Sequence, residues 1–274
     1  MSPTVAPPFI ARLERFEQVG STNDIVRDWL LAGESEVCLA VADEQSAGRG
    51  REGRAWMAPP GRALLLSLGF RPTWLEPSRV WQIAGSVSLA MAEAAEQVAD
   101  QPARSIRLKW PNDLVVETDR GIRKIAGVLG ETDGLGSGHP FAIVGIGLNA
   151  DWAADDFPSE LAETMTSLRE VAGRPIDREA LLDAFLARLD IRLRALRMGS
   201  FDAVGWSGRQ VTTRRLVRIE GPSGASDLVR AVRTDTMTGA LIIEDPVDPT
   251  GTREVYTGDV VHVRLEPDAP GTGV

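Results

Sequence analysis

The sequence predicts an α/β (α+β) chain that ends in a small all-β unit. Three observations carry that prediction. Apolar strand-like runs alternate with two long helical patterns up to about Gly199, and a glycine–arginine run joins two of those strands. Beyond Gly199 the chain breaks into short β-prone runs separated by glycine and Asp-Pro turns. The 274 residues, 43% of them apolar, suffice for one large core and a smaller one.

Residues 1–11 are proline-rich and are expected to be flexible. In Gly20-Ser21-Thr22-Asn23-Asp24, Ser21 or Thr22 caps a helix whose apolar positions are Ile25, Val26, Trp29 and Leu30, with Gly33 as its stop. Three polar side chains exceed what one cap needs, so Ser21-Thr22-Asn23 is either a cap or a cap whose surplus groups face a ligand. Residues 37–43 read as a buried strand, and Ala63–Phe70 as the next. Val80–Ala99 is an alanine-rich buried helix. Ile106–Val116 reads as two short strands around a Pro111-Asn112-Asp113 turn. Gly121–Glu131 is a strand carrying Lys124 among apolar residues; such a lysine either snorkels out or meets an anion. Phe141–Asn149 is a buried strand ending in an amide, and Leu161–Leu168 is expected to be helical. In Asp177–Met198 a stripe of Leu181, Leu182, Phe185, Leu189, Leu193 and Leu196 faces away from arginines. The runs 211–219, 228–233, 240–244, 253–256 and 260–265 then form an all-β barrel of about 60 residues.

Composition narrows the function classes. A net charge of -9 argues against a nucleic-acid binder, which needs a basic face, but allows a local basic pocket. Cys38 is the single cysteine and lies in an apolar run, so no disulfide forms within the chain and a reducing cytoplasm is expected. The first residues lack a charged segment and an apolar core, and no stretch of about 18 apolar residues occurs, so neither a signal peptide nor a membrane span is expected. Two distant histidines, His139 and His262, offer little to a structural metal site.

The run Gln45 to Trp56 organises the chemistry. Gly48, Gly50 and Gly53 interleave with Arg49, Arg51 and Arg54, and the indole of Trp56 closes the run. Glycine permits close backbone approach, arginine forks suit carboxylate and phosphate oxygens, and a flat ring covers a purine. The run reads either as a solvated basic loop or as an anion-binding loop that orders on its ligand. It also matches G-x-G-x-x-G, but Pro59, Pro60 and Gly61 forbid the helix that a dinucleotide fold places there.

Five motifs now stand in order: Ser21-Thr22-Asn23; Gln45 with Gly48 to Trp56; Lys109-Trp110-Pro111-Asn112-Asp113; Lys124-Ile125-Ala126-Gly127-Val128-Leu129-Gly130-Glu131; and Val144-Gly145-Ile146-Gly147-Leu148-Asn149. This set resembles the biotin–protein ligases (biotin–[acetyl-CoA-carboxylase] ligases) over roughly residues 15–265. The tail over 267–274 is expected from its own residues to be disordered. The resemblance implies a mixed-sheet ligase domain over residues 1–205 and an SH3-like barrel over 206–266. It implies that biotin and ATP with Mg²⁺ form biotinyl-5′-AMP, and that a lysine of a biotin carboxyl carrier domain of acyl-CoA carboxylases then displaces AMP. No metal is then held by protein alone.

By the same resemblance Ser21, Thr22, Asn23 and Gln45 hold biotin's ureido ring and neighbouring atoms, and Gly48, Arg49, Gly50 and Arg51 belong to the loop that closes over it. Lys124 lies beside biotin's carboxyl group and the α-phosphate, and Gly127 allows close approach. Arg54, Trp56, Asn112 and Asn149 serve the nucleotide, while Lys109 contacts triphosphate or shapes the turn. Lys124 and Arg51 act in catalysis, and Asp113 steers or deprotonates the acceptor amine. Only about 20 residues precede Ser21, so a short form without an N-terminal DNA-binding domain is expected, as a monomer or weak homodimer. A lipoate–protein ligase or octanoyltransferase is the nearest rival, and a non-enzymatic biotin or nucleotide sensor is a second.

Overall fold

The computed structural model of the protein describes residues 7–111, 113–221, 226–245, 247–248, 251–257 and 262–265. A seven-stranded sheet carries the larger part of the chain, in the order β1-β2-β3-β7-β6-β5-β4. Its strands are β1 (Arg12–Val19), β2 (Cys38–Gln45), β3 (Ala63–Phe70), β4 (Ile106–Lys109), β5 (Asp113–Thr118), β6 (Gly121–Asp133) and β7 (Phe141–Asn149). β1 and β2 run parallel and the other neighbours antiparallel, so the sheet is mixed.

Alternation along β2 decides what covers each face. Cys38 and Ala40 join Val26, Trp29 and Leu30 of helix α1 (Thr22–Leu31), whereas Leu39 and Val41 point into the main core. That core is roofed by α2 (Trp81–Val98) and α5 (Arg178–Arg197), and all six residues of the predicted α5 stripe are buried.

Five parts of the chain differ from the sequence reading. β1 was not expected, because its charged Arg-Leu-Glu-Arg pattern hides the alternation; the charges suit an edge strand. Residues 7–11 are anchored: Ile10 is buried, and the Ala11 amide donates to Val37 O at 2.7 Å. The expected helix 161–168 is instead α3 (Ser159–Ala162), an extended segment, and α4 (Leu168–Ala172). The Ser167 hydroxyl caps α4 by accepting from the Glu170 amide, and the backbone before it pairs with Lys124. α6 (Ala203–Gly208) is a further short helix. The expected strand from 211 begins only at Arg215, because the Val211 amide is taken by Leu108 O. Residues 1–6 and the tail 267–274 lie outside the described residues.

The C-terminal strands form a separate antiparallel sheet of β8 (Arg215–Glu220), β9 (Ser226–Thr234), β10 (Leu241–Glu244), β11 (Thr252–Val255) and β12 (His262–Leu265), in the order β11-β10-β9-β8-β12. It is fastened to the larger sheet. The Trp110 indole donates to Gly239 O at 3.0 Å, and the Trp81 indole to Met237 O at 3.2 Å. A buried ion pair between Arg209 and Glu96 at 2.5 Å ties the connecting segment to α2.

Candidate active site

The larger sheet, the 46–62 loop and the C-terminal sheet together enclose a cavity of about 1060 Å³. Ser21, Thr22, Asn23, Gln45, Arg49, Gly50, Arg51, Arg54, Trp56, Lys109, Asp113, Lys124 and Gly127 all line it. The motifs that resembled a ligase in sequence therefore converge in space. Two expected residues do not line it. Gly48 sits behind the loop, where a side chain would lie 2.5 Å from Trp56 O, so it keeps the loop narrow. Asn149 is buried, and its amide donates to Thr166 O at 3.0 Å, joining β7 to the segment before α4. Asn112 lies outside the described residues.

One end of the cavity is a polar relay. Ser21 has the extended backbone of an N-cap but makes no side-chain cap bond, which leaves its hydroxyl for the cavity. The Gln45 side chain takes over part of the capping: its Oε1 accepts from the Thr22 amide at 2.7 Å. The Thr22 hydroxyl lies 2.7 Å from that of Ser67, and Ser67 donates to Asn23 Oδ1 at 2.5 Å. Asn23 Nδ2 in turn donates to Glu131 Oε2 at 2.5 Å. The amide of Asn23 is thus held from both sides. Sequence reasoning missed Ser67 and did not single out Glu131. Glu131 was findable, because period-two alternation puts it on the same face of β6 as Gly127 and Leu129.

The other end is cationic. A bulge in the β5–β6 pairing at Leu114/Val115 shifts the register beside Lys124, and the Thr164 and Thr166 backbones pin that residue. Lys124 Nζ meets Asp113 Oδ1 at 2.6 Å and lies 5.3 Å from the centre of the Trp56 ring. The Lys109 ammonium is held below its ordinary range, first by burial; Asp113 opposes this, while Lys124, Arg54 and Arg264 add repulsion. Arg51 is lowered likewise by burial, and its guanidinium donates to Thr257 O of the C-terminal unit. Arg120, Arg215 and Arg264 also line the cavity. No sequence signal marked them, since the fold brings two of them in from strands that begin more than 60 residues beyond β7.

The loop between β2 and β3 is a narrow hairpin. Arg49 and Ala55 form an antiparallel bridge, Gly48 O accepts from the Trp56 amide at 2.9 Å, and Arg51–Gly53 make a 3₁₀ turn. The hairpin inserts Trp56 against the paired glycines of β6 and β7. A methyl group on Gly127 would lie 3.1 Å from Trp56 Cζ3, and one on Gly147 would lie 2.9 Å from Cζ2. Both positions need glycine because the indole rests on bare backbone.

A Rossmann arrangement is excluded by this strand–hairpin–strand context; the mixed sheet instead carries a cation-lined cavity under a glycine–arginine hairpin. The profile of the Biotin/lipoate A/B protein ligase family matches residues 16–149. The chain is 31% identical over 258 residues to the biotin–[acetyl-CoA-carboxylase] ligase of Mycobacterium tuberculosis, covering 92% of this chain and 90% of that one. It is 32% identical over 159 residues to the bifunctional ligase/repressor BirA of Bacillus subtilis, covering 58% of this chain and 46% of that one. Its fold superposes with a TM-score of 0.75 on a structure of biotin protein ligase from Aquifex aeolicus in complex with biotin and ATP, at 26% identity, covering 93% of this chain and 99% of that one. The chain belongs to the biotin protein ligase family.

Proposed function

We propose that the protein activates biotin with ATP as biotinyl-5′-AMP and transfers the biotinyl group to a lysine of a biotin carboxyl carrier domain of acyl-CoA carboxylases. One observation carries the reading. Eight cationic side chains (Arg49, Arg51, Arg54, Lys109, Arg120, Lys124, Arg215 and Arg264) line the cavity with one carboxylate among its described lining residues, Asp113, although the chain carries a net charge of -9. Adenylation brings a carboxylate oxygen onto the α-phosphorus while pyrophosphate leaves. Such a step needs fixed positive charge between anions that otherwise repel. This donor set suits a polyphosphate better than a resident metal. Mg²⁺ enters here as the ATP complex, where it draws charge from the phosphates.

The roles divide along the cavity. Ser21, Thr22 and Gln45 hold biotin's ureido ring at the polar end, with Asn23 locked behind them. Lys124 faces biotin's carboxylate and the α-phosphate. Trp56 covers the adenine, Arg54 and Lys109 meet the phosphates, and Arg51 joins Lys124 in screening charge. Asn112 and Asn149 remain assigned to the nucleotide by resemblance alone, and the hydrogen bond of Asn149 favours a supporting role. In the second step the acceptor amine attacks the carbonyl carbon, AMP leaves with the bonding electrons, and Asp113 receives or steers the amine proton. Asp113→Asn is expected to slow single-turnover transfer from preformed biotinyl-AMP about 10²-fold; transfer at the normal rate would remove Asp113 from the mechanism.

The SH3-like closure of the C-terminal sheet, and a boundary near 205/206, are parts of the same reading; the five antiparallel strands and the change of texture after Gly199 support them. So are a cytoplasmic setting, a carrier domain as partner without nucleic acid or membrane, and a monomer or weak homodimer. Among the described residues no helix is long and apolar enough to cross a membrane. Pyrophosphate release with ATP and biotin, but not with lipoate or octanoate in its place, tests the substrate class.

A further inference from the structure

The hairpin over the cavity is tied to helix α1 by an ion pair whose carboxylate lies outside the cavity lining. Arg49 Nη1 donates to Asp24 Oδ2 and Nη2 to Asp24 Oδ1, both at 2.7 Å. Glu131 lies 3.8 Å from the same guanidinium. Both arms of the Arg49 fork are therefore taken by the Asp24 carboxylate, with the Glu131 carboxylate close by. The pair holds the Asp24 carboxyl below its usual range and raises Arg49.

The position of Asp24 gives the contact its leverage. Asp24 sits in the first turn of α1, next to Asn23 of the polar relay, where a carboxylate also suits the helix N-terminus. Arg49 sits at the base of the hairpin tip. Its backbone bridges to Ala55, and the Gly50 amide donates to Arg54 O at 2.6 Å. A restraint on Arg49 is thus a restraint on the whole tip from Gly48 to Trp56. Glu131 couples the two regions, because it binds Asn23 at 2.5 Å and Arg27 at 3.0 Å while facing Arg49.

We propose that Asp24 is a positioning residue that latches the glycine–arginine hairpin shut through Arg49, and so sets how long biotin and its adenylate stay bound. The proposal rests on the reading that this hairpin covers biotin. Asp24 is outside the cavity lining, so replacing it removes no direct contact with the ligand.

The test compares the full-length protein with Asp24→Asn and Asp24→Glu. Hydrogen exchange without ligand follows amides 48–55, a chase with unlabelled biotin gives the release rate of biotinyl-AMP, and biotin-dependent ATP–pyrophosphate exchange gives KM and kcat. For Asp24→Asn, exchange in 48–55, adenylate release and biotin KM each rise about two- to fivefold, the range for a half-exposed ion pair, while kcat stays within about twofold. Asp24→Glu restores most of each change. Unchanged exchange in 48–55, or a rise spread evenly through α1 and β2, would overturn the latch. Faster hairpin exchange with unchanged release and KM would overturn the residence-time claim, and with it the reading that the hairpin covers biotin. A wild-type protein that forms no biotinyl-AMP would fail the functional reading instead, which the exchange data alone could not do.

Discussion

Gly147→Ala tests whether the indole of Trp56 shapes the working site. Gly147 pairs with Gly127 across β6 and β7, and Trp56 lies on both. A methyl group at 147 would stand 2.9 Å from Cζ2, and nearer still to Cε2 and Nε1. Carbon contacts are comfortable only from about 3.5 Å, so the ring must retreat by roughly 1 Å. Overpacking of this kind costs about 1–3 kcal/mol. A displacement of about 1 Å in a positioned group lowers turnover on the order of 10²-fold. Biotin-dependent ATP–pyrophosphate exchange reads the loss, and thermal unfolding reads stability separately. Gly130→Ala on β6 is the control, because nothing lies within 4 Å of the added atom. Unchanged KM for biotin and ATP and unchanged kcat in Gly147→Ala would show that the indole does not shape the working site, since the ring would then have moved without consequence.

Two further outcomes follow from other parts of the molecule. Lys109 carries its charge only below a pKa that burial has lowered, so the KM for ATP is expected to rise with increasing pH sooner than an ordinary lysine would allow; Lys109→Arg removes that alkaline limb, and a flat wild-type profile would contradict it. The Arg209–Glu96 pair is 5% and 7% exposed, and Glu96 also accepts from the Ile106 amide at 3.0 Å. Arg209→Met leaves that carboxylate buried without its partner and is expected to cost about 3–5 kcal/mol in denaturant unfolding; a loss under about 1 kcal/mol would show that water or relaxation replaces the pair.

Much of the larger sheet could be read from residues alone. β3 and β7 are near-continuous apolar runs bounded by turn residues, and the structure gives them the predicted limits. α5 follows its leucine stripe. β1 escaped because an edge strand needs apolar residues on less of its surface and carries charge as protection. The helix expected at 161–168 failed because tertiary pairing with Lys124 outweighed the local pattern. At the site, motif spacing identified residues that line the cavity at both its ends. The Arg49–Asp24 latch and the entry of Arg215 and Arg264 are long-range contacts that no local spacing encodes, and the Asp113–Lys124 contact depends on a bulge between β5 and β6 that the motifs do not reveal.

Formation of biotinyl-AMP and its use by a carrier domain can be followed in one experiment. Pure protein is incubated with biotin, Mg²⁺ and α-labelled ATP, the nucleotides are separated by chromatography, and a biotin carboxyl carrier domain is then added. Labelled biotinyl-AMP is expected to form and to disappear as AMP when the carrier becomes biotinylated, with no adenylate from lipoate or octanoate. Adenylate formed with lipoate instead of biotin, or folded protein that binds biotin and forms no adenylate with any acid, would contradict the proposed function.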